Sequence, residues 1–431
     1  MSGLPAVLPI TPFEGPVDAV VRPPGSKSIT NRALVCAALA SGTSRLEGVL
    51  FADDTEAMLD CVAALGADLT IDAEAKIVTV RGIGGPPVTD GVSIDANQSG
   101  TTARFIAPVL ALGSGRAVLD ADGAMRRRPL GATVDALRLL GASVEELEVP
   151  GHLPIAVTGP IAAEHPIELA ASVSSQFTSG LLLVGPLLAE GIEIVLTGEV
   201  VSRPYIDMTI AVMRAFGAVV TEPDARTIVV APGGYRATDF TIEPDASAAS
   251  YFFALAAMTG GRVVVEGLGR ASLQGDLGFV RQLEAMGATV EMDDTSTTVV
   301  GGPLHGIDTD SSQISDTAQT LAAVAALADG PTTVRGIGFI RAKETDRIAA
   351  VVGELQRCGV DAVATDDGFV ITPSRPRPAK IETHDDHRMA MSFTLLGLCV
   401  PGIEILDPGC VAKTFPDYFE VIDAIRPAVA R

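Results

Sequence analysis

Lys27 and Ser28 follow Pro23-Pro24-Gly25-Ser26, with Arg32 one helical turn further on, so cations and hydroxyls are concentrated in one short stretch. The prolines end an extended segment, Gly25 supplies a turn, and Ser26 suits the N-cap of the apolar run 33–40. Backbone N–H groups at a helix start, joined by a lysine, a hydroxyl and an arginine, favour an anion. A Walker phosphate loop is excluded, because GxxxxGK needs glycine at 21 and 26, where the chain has Val21 and Ser26. Alone, the stretch reads more readily as a capped helix with solvated charges. Its recurrence changes that reading.

Five further apolar runs open in the same manner. They begin at Gln98-Ser99-Gly100-Thr101-Thr102, Ser172-Val173-Ser174-Ser175-Gln176, Asp245-Ala246-Ser247, Ser315-Asp316-Thr317 and Asp385-Asp386-His387-Arg388. Ser, Thr and Asp are ordinary capping residues, and Asp245 needs no other role. Capping does not account for Lys27, Gln176, the His387-Arg388 pair or the rows of hydroxyls. Other basic residues lead into a second set of helices: Arg126-Arg127-Arg128-Pro129, Ser202-Arg203-Pro204-Tyr205, Arg341 through Lys343-Glu344 to Arg347, and Lys413. Singly these are helix-start punctuation; together they gather positive charge.

The elements that must position these residues repeat. A glycine followed by a β-branched strand recurs at Gly42, Gly115, Gly191, Gly261, Gly330 and Gly402, a period of roughly seventy residues. A helix ending in Leu-Gly-Ala or similar follows, at Gly66, Gly141, Gly217, Gly287 and Gly359. An alternating hairpin comes next, such as 68–72 with 76–80. Six units of roughly βαβαββ result. The helix before each glycine strand (33–40, 103–112, 177–189, 248–258, 318–328 and 389–399) is apolar on every side, which requires burial all round. The other helices, such as 55–65 and 133–140, mix charge with apolar residues and suit an outer position.

Two bundles of three buried helices are the economical arrangement. The expected fold is therefore α/β, with two domains, each of three βαβαββ units whose buried parallel helices are wrapped by sheets, an inside-out α/β barrel. The expected domains are 22–243 and a discontinuous one of 1–21 plus 244–431, with residues 4–21 crossing over to complete the latter. If each bundle is parallel, three N-termini meet at one end of each domain. Two such ends facing across a cleft would form an anion site, the expected active site.

Composition sets limits. Lys plus Arg is 31 against 53 Asp plus Glu, a net charge of −22, with no Trp, which argues against nucleic acid or an anionic membrane as partner. The five cysteines show no CxxC and read as free thiols of a reducing compartment. Residues 1–15 carry no secretory pattern, and the most apolar run, 180–189, is broken by Pro186 and too short for a bilayer. A cytoplasmic location is expected.

The chain resembles the 5-enolpyruvylshikimate-3-phosphate synthase family of enolpyruvyl transferases. The resemblance rests on Pro-Gly-Ser-Lys-Ser (24–28), Ser-Gly-Thr (99–101), Ser-Val-Ser-Ser-Gln-Phe (172–177) and Pro-Tyr-Ile-Asp (204–207). It continues through Lys-Glu-Thr-Asp-Arg (343–347), Asp-His-Arg-Met-Ala (386–390) and Ala-Lys-Thr-Phe-Pro-Asp-Tyr-Phe (412–419). It implies two domains closing over shikimate 3-phosphate and phosphoenolpyruvate, with neither metal nor cofactor; a monomer is the default expectation. By the same resemblance, shikimate 3-phosphate is expected against Lys27, Ser28, Arg32, Ser174, Ser175, Gln176, Ser202 and Tyr205, with Asp316 and Lys343 at its hydroxyls. Phosphoenolpyruvate is expected at Lys27, Gly100, Thr101, Gln176, Arg347, Arg388 and Lys413. The reaction needs an acid for carbon, a base for the hydroxyl and donors for departing phosphate. Asp316 and Glu344 are the expected carboxylate pair, with Lys27 on the phosphate.

Three positions depart from the family pattern. Phe339 stands where an Asn is common, so a substrate contact is altered. A phosphoenolpyruvate-binding arginine implied near position 124 meets Ala124, and Arg126 stands in for it. Phe105 replaces a frequent Pro, with consequences for glyphosate. Among rivals, the UDP-N-acetylglucosamine enolpyruvyl transferase would carry a cysteine on the loop before an Arg-Pro pair, and 120–129 has none. A non-catalytic anion-binding repeat protein would not need Lys27, Asp316, Glu344 and Arg388 together, and an RNA 3′-phosphate cyclase would want a basic surface.

Overall fold

The computed structural model describes residues 3–427. The chain divides into two compact units, Gly25–Glu243 and the stretch up to Pro24 joined with Pro244 onward. Each unit contains three inner helices. In Gly25–Glu243 these are Lys27–Leu39, Gly100–Leu110 and Ser175–Val184; in the other they are Ala246–Thr259, Ala318–Ala325 and His387–Cys399. Nearly every residue of each is buried, which fits Ala-, Leu- and Val-rich runs with no polar stripe.

These helices begin earlier than the apolar runs suggest. The expected start at 33 is Lys27, at 103 it is Gly100, and at 389 it is His387. The polar residues ahead of each run are the first helical turn, begun by a capping oxygen and not by apolar packing. Ser26, Ser99, Ser174, Asp245 and Asp386 each accept a hydrogen bond from a backbone N–H of that turn. The fifth inner helix instead starts from the 3-10 turn Ser315–Thr317. The third ends before Pro186, and a 3-10 turn, Gly185–Leu187, replaces the predicted last turns.

Within each unit the inner helices run parallel and in register. Ser250, Thr320 and Ser392, each early in its own helix, join by buried hydroxyl contacts of 3.1 and 3.4 Å. In Gly25–Glu243, Arg104 donates to Gln176 and Arg32 to Ser179, again within the first two turns of each helix. Close approach depends on Gly180, where a Cβ would lie 2.4 Å from the Arg104 carbonyl oxygen.

Among the described residues six sheets accompany these helices, five of four strands and one of three. In four of them the strand before an inner helix pairs parallel with the strand after it, as Ser93–Asp95 does with Arg116–Asp120. The other two exchange strands. Asp18–Val21 precedes the first inner helix but pairs parallel with Arg262–Glu266, whereas Phe240–Thr241 precedes the fourth and pairs with Ser41–Glu47. Antiparallel hairpins complete most sheets, for example Asp68–Asp72 with Ile77–Ile83. Among the described residues the sixth has no such hairpin; Val7–Pro9 lies antiparallel to Ile403–Leu406 in its place.

Candidate active site

In the unit Gly25–Glu243, the starts of the three inner helices carry the polar groups. Lys27 is the first helical residue, and its Nζ donates to Asp54 Oδ2 at 2.9 Å, with both side chains largely buried. Asp54 lies in the first turn of the outer helix Asp53–Ala64. Gly100 and Thr101 open the second helix, where Gln176 Nε2 donates to Thr101 Oγ1 (3.2 Å) and Arg104 Nη1 donates to Gln176 Oε1 (2.9 Å). A Cβ on Gly100 would sit 2.6 Å from Arg104 Nη1 and 2.7 Å from Arg128 Nη1. Two guanidinium groups therefore close on the start of this helix, in space that only glycine leaves open.

Ser174 caps the third inner helix and Ser175 is its first residue. Ser202 is buried in the left-handed conformation (φ 54°), and its carbonyl accepts from the Tyr205 N–H. Arg32 lies beneath these groups. It is 1 % exposed and donates to Thr209 Oγ1, Ser179 Oγ and the carbonyls of Ser28 and Tyr205. Its guanidinium also sits 5.1 Å from the Phe105 ring centroid, and burial lowers its pKa to about 10. Arg32 thus fixes Ser28 and Tyr205 through their backbones, and Phe105 forms part of its support.

The other unit holds a denser cluster. Asp316 Oδ1 accepts from Lys343 Nζ (2.5 Å) and Arg347 Nη1 (3.3 Å), and Oδ2 accepts from Arg388 Nη2 (2.7 Å). Arg347, 1 % exposed, also donates from Nε to Asp386 Oδ2 (2.7 Å) and pairs with Glu344 Oε2 (2.7 Å). Asp386 is fully buried and caps the sixth inner helix through the Arg388 N–H. Lys413 ends the turn Pro408–Lys413 and is buried as well.

Burial opposes charge on Asp316, but Arg388, Lys343 and Arg347 overcome it and hold its carboxyl well below the usual range. Desolvation lowers the Lys343 pKa, an effect that Asp316 opposes. Asp316 is accordingly a carboxylate at neutral pH, able to accept a hydroxyl hydrogen bond and unable to supply a proton, and a weak base while the three cations hold it.

The loop before Asp386 is shaped by Glu354 on the helix Arg347–Arg357. Its buried carboxylate accepts from the Glu382 N–H (3.1 Å) and meets His384 Nε2 (3.1 Å), while His384 and Asp385 adopt positive φ. Glu354, Glu382 and His384 are close enough to hold a metal ion, but Arg357 already pairs with both carboxylates.

Of the residues singled out from sequence, one set in each unit is brought together. Lys27, Ser28, Gly100, Thr101, Ser174, Ser175, Gln176, Ser202 and Tyr205 lie at or beside inner-helix starts of Gly25–Glu243. Asp316, Lys343, Glu344, Arg347 and Arg388 form one ion network. Arg126 does not join its set. Its guanidinium is held by Asp120 (2.6 Å) and Glu148 (2.9 Å), and it is Arg128, two residues on, that reaches Gly100. Sequence reasoning also passed over Arg104, Asp54 and Asp386. The signals were an arginine within the second apolar helix, paired acids at an outer-helix start, and an aspartate matched to Arg347 only in space.

Two units of three repeats, presenting hydroxyls and cations from the starts of buried parallel helices, define an inside-out α/β protein built for small anionic molecules. The sequence model for "EPSP synthase (3-phosphoshikimate 1-carboxyvinyltransferase)" matches residues 13–422. A relative named 3-phosphoshikimate 1-carboxyvinyltransferase, from Trichormus variabilis, is 45 % identical over 94 % of this chain and 95 % of its own. One of the same name from Vibrio atlanticus is 42 % identical over 94 % and 96 %. A solved EPSP synthase from Acinetobacter baumannii superposes with a TM-score of 0.83 at 27 % identity, covering 97 % of this chain and 98 % of that one. The chain belongs to the EPSP synthase family.

Proposed function

We propose that this protein transfers the enolpyruvyl group of phosphoenolpyruvate to the 5-hydroxyl of shikimate 3-phosphate and releases phosphate. The observation that carries the reading is the match, over nearly the whole chain, to relatives named for this activity. The local chemistry supports it. The hydroxyl oxygen bonds to C2 of phosphoenolpyruvate while C3 gains a proton, giving a tetrahedral ketal phosphate. Loss of phosphate from C2 and of a proton from C3 then restores the double bond.

Asp316, ionised and placed beside Lys343, is the proposed acceptor of the hydroxyl proton. Glu344, paired with Arg347, is the proposed carrier of the proton at C3. Lys27 is assigned to the departing phosphate. Arg347, Arg388, Lys413 and Arg128 are assigned to the phosphate and carboxylate of phosphoenolpyruvate, with Gly100, Thr101 and Gln176 as neutral partners. Fixed cations and helix N–H groups offset the mutual repulsion of the two anionic substrates. Ser28, Ser174, Ser175, Ser202, Tyr205 and Lys343 are assigned to shikimate 3-phosphate, with Arg32 supporting Ser28 and Tyr205 from below. Among the described residues no helix is long and apolar enough to cross a membrane. We assign the enzyme to the cytoplasm as a monomer.

The test is phosphate release from purified protein given phosphoenolpyruvate with each acceptor. Turnover with shikimate 3-phosphate is expected. Silence there, with turnover on UDP-N-acetylglucosamine, would reverse the assignment.

A further inference from the structure

Phe339 belongs to the 3-10 turn Gly338–Ala342, which ends at Lys343. The turn is fastened on both sides of the ring. Ile337 N–H donates to the Asp367 carbonyl (2.7 Å), Ile340 is fully buried, and Arg341 is held by Asp346 (2.8 Å) and the Thr365 carbonyl (2.7 Å). Phe339 is only half-buried; part of the ring packs on the core. The Lys343 ammonium lies 5.6 Å from the ring centroid, within the range of a cation–π contact. The same ammonium donates to Asp316 Oδ1 (2.5 Å) and Ser315 Oγ (3.2 Å).

Two of the three ammonium hydrogens thus go to one neighbouring turn, and the aromatic face closes a further side. Lys is a flexible, strongly hydrated cation, and several rotamers would serve it equally in water. A ring attracts the charge without offering it an acceptor, so it restricts the ammonium and excludes water while leaving the third N–H for a ligand.

We infer that Phe339 is a positioning residue for Lys343, its ring face holding the ammonium where it meets the hydroxyls of shikimate 3-phosphate. The inference rests on the proposed contact between Lys343 and that substrate, and it makes the acceptor affinity of this chain depend on an aromatic side chain. A side chain of similar bulk without a quadrupole would fill the space and still lose the effect.

Steady-state kinetics of Phe339→Leu, Phe339→Met and Phe339→Tyr test it, with folding checked by thermal unfolding. The Leu and Met variants should raise KM for shikimate 3-phosphate about threefold to tenfold, with KM for phosphoenolpyruvate and kcat changed far less, and Tyr should restore the native KM. Binding of shikimate 3-phosphate by calorimetry should weaken in Lys343→Met, and adding Phe339→Leu to that variant should weaken it no further. A KM within twofold of native in both Leu and Met variants overturns the inference, as does an equal effect of Phe339→Leu with and without Lys343. Unchanged binding in Lys343→Met would instead overturn the substrate contact on which the inference stands.

Discussion

Lys27 illustrates how a single side chain carries both a structural and a chemical duty. Its ammonium faces the Asp54 carboxylate, which is 3 % exposed, so removing the lysine leaves a buried carboxylate short of its cation. Loss of one partner of a buried pair costs about 3 kcal/mol. Lys27→Met should therefore abolish turnover and also lower stability by that order. The double variant Lys27→Met with Asp54→Asn separates the two duties: urea unfolding should show stability recovered, and the phosphate assay should still show no turnover. Recovery of turnover would remove Lys27 from the chemistry. At this scale the sequence singled out Lys27, Gln176 and Arg388 because capping left them unexplained. It named Arg126 as a phosphoenolpyruvate ligand and did not consider Arg128 for that role. Arg126 ends the short helix Gly123–Arg126 and Arg128 lies just past it, so one guanidinium goes to Asp120 and Glu148 and the other to Gly100.

Among the elements, the starts of the fifth and sixth inner helices are joined to the helix Arg347–Arg357 by ion pairs. Asp316 collects Lys343, Arg347 and Arg388, and Asp386 both caps its helix and receives Arg347. Because the Asp316 carboxyl is held below its ordinary pKa of about 3.9, the ionised form favours the folded state. That contribution is complete above about pH 4 and is lost as the pH falls through the depressed value. Asp316→Asn should remove it at every pH, lowering stability by about 3 kcal/mol at neutrality and flattening the acid limb of the stability profile. Urea unfolding at pH 7 and in steps below pH 4 would check this. Native stability at pH 7 with an unaltered acid slope would count against it. The inner helices themselves were legible from their apolar runs, although all but the fifth began too late, since the capped polar turn has no hydrophobic signal.

Across the whole molecule, the residues assigned to one reaction are divided between two separately compact units. Shikimate 3-phosphate and phosphoenolpyruvate together should therefore slow amide exchange at the helix starts of both. Hydrogen–deuterium exchange should show protection around residues 27–32, 100–104 and 175–178, and equally around 315–319 and 386–390. Protection confined to one unit would remove the other unit's residues from the assignment. The net charge of −22 gives this division a consequence, since cations must be gathered locally against the field of the rest of the chain.

By itself the sequence determined the period of about seventy residues, the identity of the buried helices and the residue types at their starts. Those follow from local hydrophobic pattern and capping chemistry, which act within a few residues. Only the tertiary structure decided which charges meet. Asp386 comes to Arg347, Arg128 to Gly100 and Phe339 to Lys343, and the crossover expected of residues 4–21 finds its partner strand in Arg262–Glu266. Such pairings depend on the direction of side chains from packed elements and on where strands are exchanged, and neither leaves a periodic trace along the chain.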